Sequence, residues 1–430
     1  MHGRISARSI MVRLPSVQDM LLTALAYVWC VIVVLNGNSV YNSSLFHNYR
    51  LLELSVAMTI VLLVCHLVFG GLRLTSRGII TAVCLLAYSS VYFIIQSNRM
   101  QLTNFMLLFV IGLPCLFLLF EGLHRQGKLL RLFYCLANVV CVFAAMSLYF
   151  WIVGVVLELI QPNMYTGIRW GNFSRVDGYY GLHFQIQWDT TFNTGLYRNS
   201  GIFTEAPMLN LWADIALAVE LLLRPKSSKL RVLILCATIV TAMSTTGLIF
   251  MALCFVLKNV KDYGRMNRWV KTLLLLAAVV VIPVVIYLLY QVLVLKSDTT
   301  SYDMRMSDYV GGLAMWMDYP IFGDGYGNLG GLLEYIYSPD GVVGFSNSVM
   351  AVLATGGLWM AILFYIPHVG CMFKKFTGSR DLALFSICYF YLFCTTAFFA
   401  RYLAVVMVAF GLAVMHARNN GSVPDDGAGR

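Results

Sequence analysis

The sequence predicts an all-α polytopic integral membrane protein of about twelve transmembrane helices, and three observations predict it. Of 430 residues, 60% are hydrophobic and 12% charged, against roughly 45–50% and 25% in an ordinary soluble domain. The apolar residues come in runs of about 17–25, the length that carries a helix across about 30 Å of hydrocarbon at 1.5 Å per residue. A membrane-spanning strand would alternate instead. Finally, the basic residues behind the formal charge of +10 sit in short clusters between the apolar runs.

Taken in order, Arg4, Arg8 and Arg13 precede a first run at 18–36. This run reads as a retained anchor, because no convincing small-residue cleavage site follows it. Runs at 52–72 and 78–96 flank Arg73 and Arg77, and runs at 103–121 and 132–157 flank Arg125, Lys128 and Arg131. A sixth run at 205–223 leads into Arg224, Lys226, Lys229 and Arg231. The 26-residue stretch 232–257 then precedes Lys258, Lys261, Arg265, Arg268 and Lys271. Further runs at 272–295, 346–370, 381–398 and 402–416 follow, with Lys374, Lys375 and Arg380 between two of them and Arg418 and Arg430 in the tail. One assignment puts 22 of the 30 Lys and Arg residues on a single face, and the positive-inside rule makes that face cytoplasmic. Nucleic-acid binding would need these charges gathered in one patch, so no nucleic-acid partner is expected.

Residues 232–257 would suit one helix, but one crossing would leave a basic cluster on the outside. Two short arms, 232–243 and 247–257, solve this, with the break at Ser244-Thr245-Thr246-Gly247, whose hydroxyls and glycine tolerate freed backbone groups. Twelve crossings then return the chain to its starting side and place both termini in the cytoplasm. The expected organisation is one membrane domain, 1–417, and a disordered cytoplasmic tail, 418–430.

Two long outer segments remain, about 159–204 and 296–345. The first is dense in aromatic residues that must pack on something, among them Tyr165, Trp170, Tyr179, Trp188 and Tyr197. The second opens with an interfacial helix in which Tyr302, Met306, Tyr309, Leu313, Trp316 and Met317 recur at helical spacing. All eleven cysteines fall in apolar spans or at a cytoplasmic end, so no disulfide framework is expected. The seven histidines form no metal-ligand spacing, and neither a metal nor a cofactor is expected.

Only Arg50, Arg99, Arg169, Arg175, Arg198, Lys296, Arg305 and Arg401 lie outside or near the outer boundary. Arg198 and Arg305 belong where membrane meets water, and their planar forks suit a diphosphate. The alternative for either is pairing with Asp177, Asp189, Asp303 or Asp308. Glu205, seven residues after Arg198, is the candidate base, or else a carboxylate favoured at a helix start. Asp214 falls nine residues further on. At 100° per residue it points away from Glu205, so the two are expected not to share a site. With Asn210 it forms a polar stripe better suited to interhelical hydrogen bonding than to catalysis. The glycines from Gly323 to Gly331 lack the Lys-Ser/Thr ending of a phosphate-binding loop and read as tight turns.

In order along the chain stand Arg198-Asn199-Ser200-Gly201-Ile202-Phe203-Thr204-Glu205-Ala206-Pro207, Ser244-Thr245-Thr246-Gly247, Arg305 before Pro320-Ile321-Phe322-Gly323-Asp324-Gly325-Tyr326-Gly327-Asn328, then Ser346-Asn347-Ser348 and Gly356-Gly357. This constellation, covering about 195–360, resembles the O-antigen polymerase and O-antigen ligase superfamily, the Wzy-type polysaccharide polymerases of bacteria. The resemblance implies a GT-C-like glycosyltransferase architecture in the inner membrane with two large periplasmic loops. It also implies an undecaprenyl-diphosphate-linked oligosaccharide as substrate, the bilayer and a chain-length regulator as partners, and no metal. Arg198 and Arg305 would hold the diphosphate and Glu205 would be catalytic, with Arg169, Arg175, Asn347 and Arg401 as further candidates for substrate contacts. Ligases of the superfamily usually carry a histidine where this chain has Ser346, which favours a polymerase. An O-antigen ligase and a transporter of polyprenyl-linked sugar are the alternatives.

Overall fold

The computed structural model describes residues 17–47, 50–169, 173–189, 194–263, 267, 272, 300–336 and 344–419. Among these, seven helices are long and apolar enough to cross a membrane. They are α1 (Val17–Asn36), α2 (Leu51–Val68), α3 (Ser76–Ile95), α4 (Leu102–Arg125), α5 (Leu130–Val156), α6 (Ala206–Leu223) and α10 (Ser348–Gly370). Four further helices complete the described set used below: α7 (Lys229–Thr241), α8 (Thr245–Asp262), α9 (Thr300–Asp318) and α11 (Arg380–Thr395). A fifth, α12 (Tyr402–Asn419), has an apolar stretch, Tyr402–Arg418, that is shorter than the seven. The expected span at 272–295 and the tail beyond 419 lie outside the described residues.

Apolar side chains outside the bundle are exposed in number, as on the lipid-facing sides of α1 to α3, whereas α6 is buried along almost its whole length. It packs against α5, α7 and α8 and so forms the centre on which the site is built. Polar bonds between helices supplement dispersion here, as expected where lipid removes the hydrophobic drive for helix association. Trp29 Nε1 donates to Thr59 Oγ1 at 2.7 Å, and that hydroxyl meets Tyr402 Oη at 2.5 Å, joining α1, α2 and α12.

The basic clusters gather at one end. Glu220 near the end of α6 accepts from Arg224 (2.7 Å) and Arg231 (3.1 Å), Lys261 pairs with Asp381 at 2.8 Å, and Arg380 reaches Val260 O. The other end carries something the all-α expectation did not include. Residues of the first long loop form a three-stranded antiparallel sheet, β1 (Met164–Ile168), β2 (Phe173–Tyr179) and β3 (His183–Gln185), in the order β1-β2-β3. Val176 and Phe184 pack with Val40 under it, so part of the aromatic density is buried. Tyr165, Tyr180 and Trp188 stay exposed. The second loop does begin with a helix, α9, on which Met306, Tyr309, Val310, Leu313 and Met317 make an exposed apolar set, as a helix lying in a membrane interface requires.

The motif after α9 is not an outlying turn. Gly357, at φ 61°, interrupts α10, and the segment Pro320–Gly325 is inserted at the break. Asp324 and Gly325 donate their N–H groups to Ala354 O and Thr355 O (3.2 and 3.0 Å), and Leu358 and Trp359 donate back to Pro320 O and Ile321 O (both 2.9 Å). Irregular backbone at membrane depth is tolerated only when buried in protein and satisfied there. Gly323, at φ 68°, lies against the Thr355 backbone, where a Cβ would collide. Tyr92 Oη and Gln96 Nε2 of α3 secure the remaining carbonyls of Phe322 and Gly323 at 2.9 and 2.7 Å.

Candidate functional site

The α7–α8 hairpin turns earlier than the sequence suggested. Helix α7 ends at Thr241, Met243 takes a left-handed conformation (φ 50°), and α8 has already begun at Thr245. Thr245 to Gly247 are therefore the first turn of α8 rather than the turn itself. At 1.5 Å per residue the 13 residues of α7 reach about 20 Å, short of the ~30 Å hydrocarbon thickness. The tip thus leaves a recess on the side facing the strands. The chain before α6 closes over one edge of that tip. Asn199 N donates to Thr241 O at 3.1 Å, and Arg198 Nε donates to Ala242 O at 3.0 Å. These bonds satisfy carbonyls that a helix C-terminus leaves open. They also fix the Arg198 side chain beside the recess.

Glu205 sits at the N-cap position of α6, yet its carboxylate makes no capping bond. The cap comes from Gln187, whose Oε1 accepts from Ala206 N at 3.1 Å. Glu205 is thus free of the role that would have explained it structurally. Burial pushes its carboxyl up to about 7, and the charges of Arg198 and Arg401 pull the other way without winning. Arg401, which precedes α12, donates to Asn38 Oδ1 at 2.9 Å. Its link to Glu205 was not visible in the sequence, since 195 intervening positions separate them until the fold brings the starts of α6 and α12 together.

Glu205 stands at the edge of a cleft of about 210 Å³ whose wall is α6, with Asn210 and Asp214, and whose hairpin side is Ser244, Thr246 and Gly247. Ser346 and Thr395 to Ala397 line the remaining side. The expectation that Glu205 and Asp214 point apart is corrected by this lining. Glu205 has extended backbone angles (φ −156°, ψ 150°) and lies off the helical wheel on which that expectation depended. A second correction concerns Asn210. Its two amide atoms and Asp214 Oδ1 are buried with no hydrogen-bond partner, so the pair does not join helices by hydrogen bonds.

The other candidates fare differently. Arg175 pairs with Asp177 at 3.2 Å and stacks over Tyr165, exposed on the sheet. Arg169 is exposed after β1. Neither lines the cleft, because the sheet carries both away from it. Asn347 is a helix cap whose Oδ1 accepts from Met350 N at 2.8 Å, a role that Ser346-Asn347-Ser348 before an apolar run could have signalled. The backbone of Arg305 lies in α9, and its side chain is outside the described residues. Its helix does reach the cleft, since Asp308 Oδ2 accepts from Ser346 N at 2.8 Å.

A second cleft of about 310 Å³ opens between the end of α5 and the sheet, lined by Glu158, Gln161, Gln185, Trp188 and Tyr197. Trp188 and Tyr197 pair across a strand-like bridge with ring centroids 4.0 Å apart. On the next rung Arg198 N donates to Gln187 O at 2.8 Å. Among the described residues no group of three or more His, Cys, Asp or Glu side chains is placed to hold a metal ion. No protein-family model matches the chain, and comparison with curated proteins finds no match.

Proposed function

We propose that the protein is a membrane polysaccharide polymerase that transfers an oligosaccharide from polyprenyl diphosphate onto a lipid-linked repeat at the periplasmic face of a bacterial inner membrane. The observation that carries this reading is the Glu205 carboxyl, free of any cap and raised by burial to about 7 against the field of two half-buried guanidinium groups, Arg198 and Arg401. An acceptor hydroxyl attacks the anomeric carbon, the bond to the diphosphate oxygen breaks, and Glu205 takes the hydroxyl proton. Negative charge grows on the leaving phosphate, where prepositioned guanidinium groups in a poorly hydrated site oppose it most strongly in the transition state. Binding of the diphosphate also offsets the positive field that holds the Glu205 pKa down, so the donor itself strengthens the base. The open cleft beside Ser346 contains no histidine, which supports a polymerase over a ligase. The aromatic pair and amides of the second cleft suit the faces and hydroxyls of a sugar chain.

In a strain lacking the protein, surface polysaccharide is expected to carry one repeat instead of many on a gel. Complete loss of attached repeats would instead indicate a ligase or flippase and overturn the polymerase reading. For topology, twelve crossings with both termini cytoplasmic require the loops at 224–231 and 258–271 to face the cytoplasm. Cysteines introduced by Lys226→Cys and Lys261→Cys are expected to escape an impermeant thiol reagent added outside spheroplasts. Labelling of one and not the other would refute the hairpin's return to its starting side.

A further inference from the structure

We propose that the floor of the Glu205 cleft is a sugar-binding subsite, in which Asn210 and Asp214 of α6, with Ser244 and Thr246 from the hairpin, hold hydroxyls of the acceptor sugar. Its assignment to the acceptor rests on the polymerase reading, whereas its chemistry stands on the cleft alone. Asn210 is 2% exposed and Asp214 1% exposed, and the unpartnered atoms of both belong to residues that line the cleft. A buried amide with neither end hydrogen-bonded is a costly arrangement, and each such group calls for a partner. The cleft is the open volume that these two residues border.

The chemistry of the lining selects among ligands. An anion is disfavoured because no lysine or arginine is among the lining residues of the cleft. A multivalent metal ion lacks a ligand set, since no cluster of three suitable side chains exists among the described residues. A polyol fits. Each sugar hydroxyl both donates and accepts, and the residues lining the cleft carry one amide, two carboxyl groups and five hydroxyls. Gly247 is what lets the hairpin pack directly against this floor. The first turn of α8 runs so close to Asn210 that any Cβ at position 247 would collide with its amide. Because the hairpin stops short, the floor opens toward the same end of the bundle as Glu205, so a sugar seated on Asn210 and Asp214 presents its next hydroxyl at the base.

The test uses the full chain in lipid nanodiscs. The thiol introduced by Thr246→Cys is reacted with an impermeant maleimide, with the unsubstituted protein as the control for native cysteines. The soluble one-repeat oligosaccharide is expected to slow labelling by about tenfold when saturating. In parallel, elongation is measured with a repeat on a short alkyl aglycone, which can accept but cannot donate. Asn210→Leu and the near-isosteric Asp214→Asn are each expected to raise the acceptor KM by about tenfold, the loss of one or two hydrogen bonds, with the donor KM unchanged. Unprotected labelling together with an unchanged acceptor KM overturns the subsite. Protected labelling in a protein that elongates nothing leaves the subsite standing and removes the polymerase reading.

Discussion

Replacing Glu205 with glutamine is expected to lower the initial rate of elongation by about 10²–10⁴-fold on purified lipid-linked repeat, the usual contribution of a positioned general base. The substitution keeps the size of the side chain and part of its hydrogen bonding. It removes the charge and with it the ability to take a proton. A structural carboxylate would behave otherwise, because loss of its interaction with the helix dipole costs about 0.3–1 kcal/mol, and the cap is already supplied by Gln187. The pH profile distinguishes the same two cases. With its carboxyl raised to about 7, Glu205 is protonated and idle at low pH, so kcat/KM rises with pH through about 7. In the bound complex the diphosphate cancels part of the positive field, and the corresponding limb of kcat moves to higher pH. Glu205→Gln abolishes both limbs. A rate within about threefold of wild type, under 1 kcal/mol of barrier, with an unaltered pH profile, would return Glu205 to a structural role.

The second large effect belongs to Arg198. Arg198→Ala is expected to reduce elongation by about 10²–10³-fold, as when one donor to a developing oxyanion is removed, with the protein still inserted. Two losses combine, since in the proposed reaction the side chain would face the departing diphosphate, and in the structure it holds Ala242 O at the hairpin tip. Arg198→Lys separates them. Lysine restores charge without the bidentate fork, so activity recovers in part while the donor KM stays high. Full activity in the lysine variant would remove the bidentate argument, and full activity in the alanine variant would remove Arg198 from the site.

Much of the helical framework was legible because length and charge are one-dimensional properties. The broken 232–257 stretch could be read from the basic clusters on both its flanks, since parity of crossing needs no tertiary information. Its turn was misplaced because Ser244 to Gly247 look like a break, whereas the left-handed residue is Met243, just after the Thr241 and Ala242 carbonyls that accept bonds from Asn199 and Arg198, which no local pattern encodes. The relation of Glu205 to Asp214 was misread for a related reason. A helical wheel assumes that both residues are helical, and Glu205 is extended. Arg401 could be named as an outer cation but not assigned a neighbour. The small sheet escaped because its strands are three to seven residues long and the aromatic density around them masks any alternation.

The interruption of α10 at Gly357 bears on how the chain is made. The nine residues from Ser348 to Gly356 are too few to cross a bilayer unaided, and the carbonyls of Ala354 and Thr355 would face lipid without partners, at several kcal/mol for each such group. Those partners, Asp324 and Gly325, leave the ribosome some thirty residues earlier, and Tyr92 and Gln96, which receive the Phe322 and Gly323 carbonyls, earlier still. During biogenesis the receiving surface therefore precedes the fragment it must receive. The first half of α10 enters the membrane by docking onto protein already assembled there, and its insertion depends on upstream sequence far more than on its own hydrophobicity.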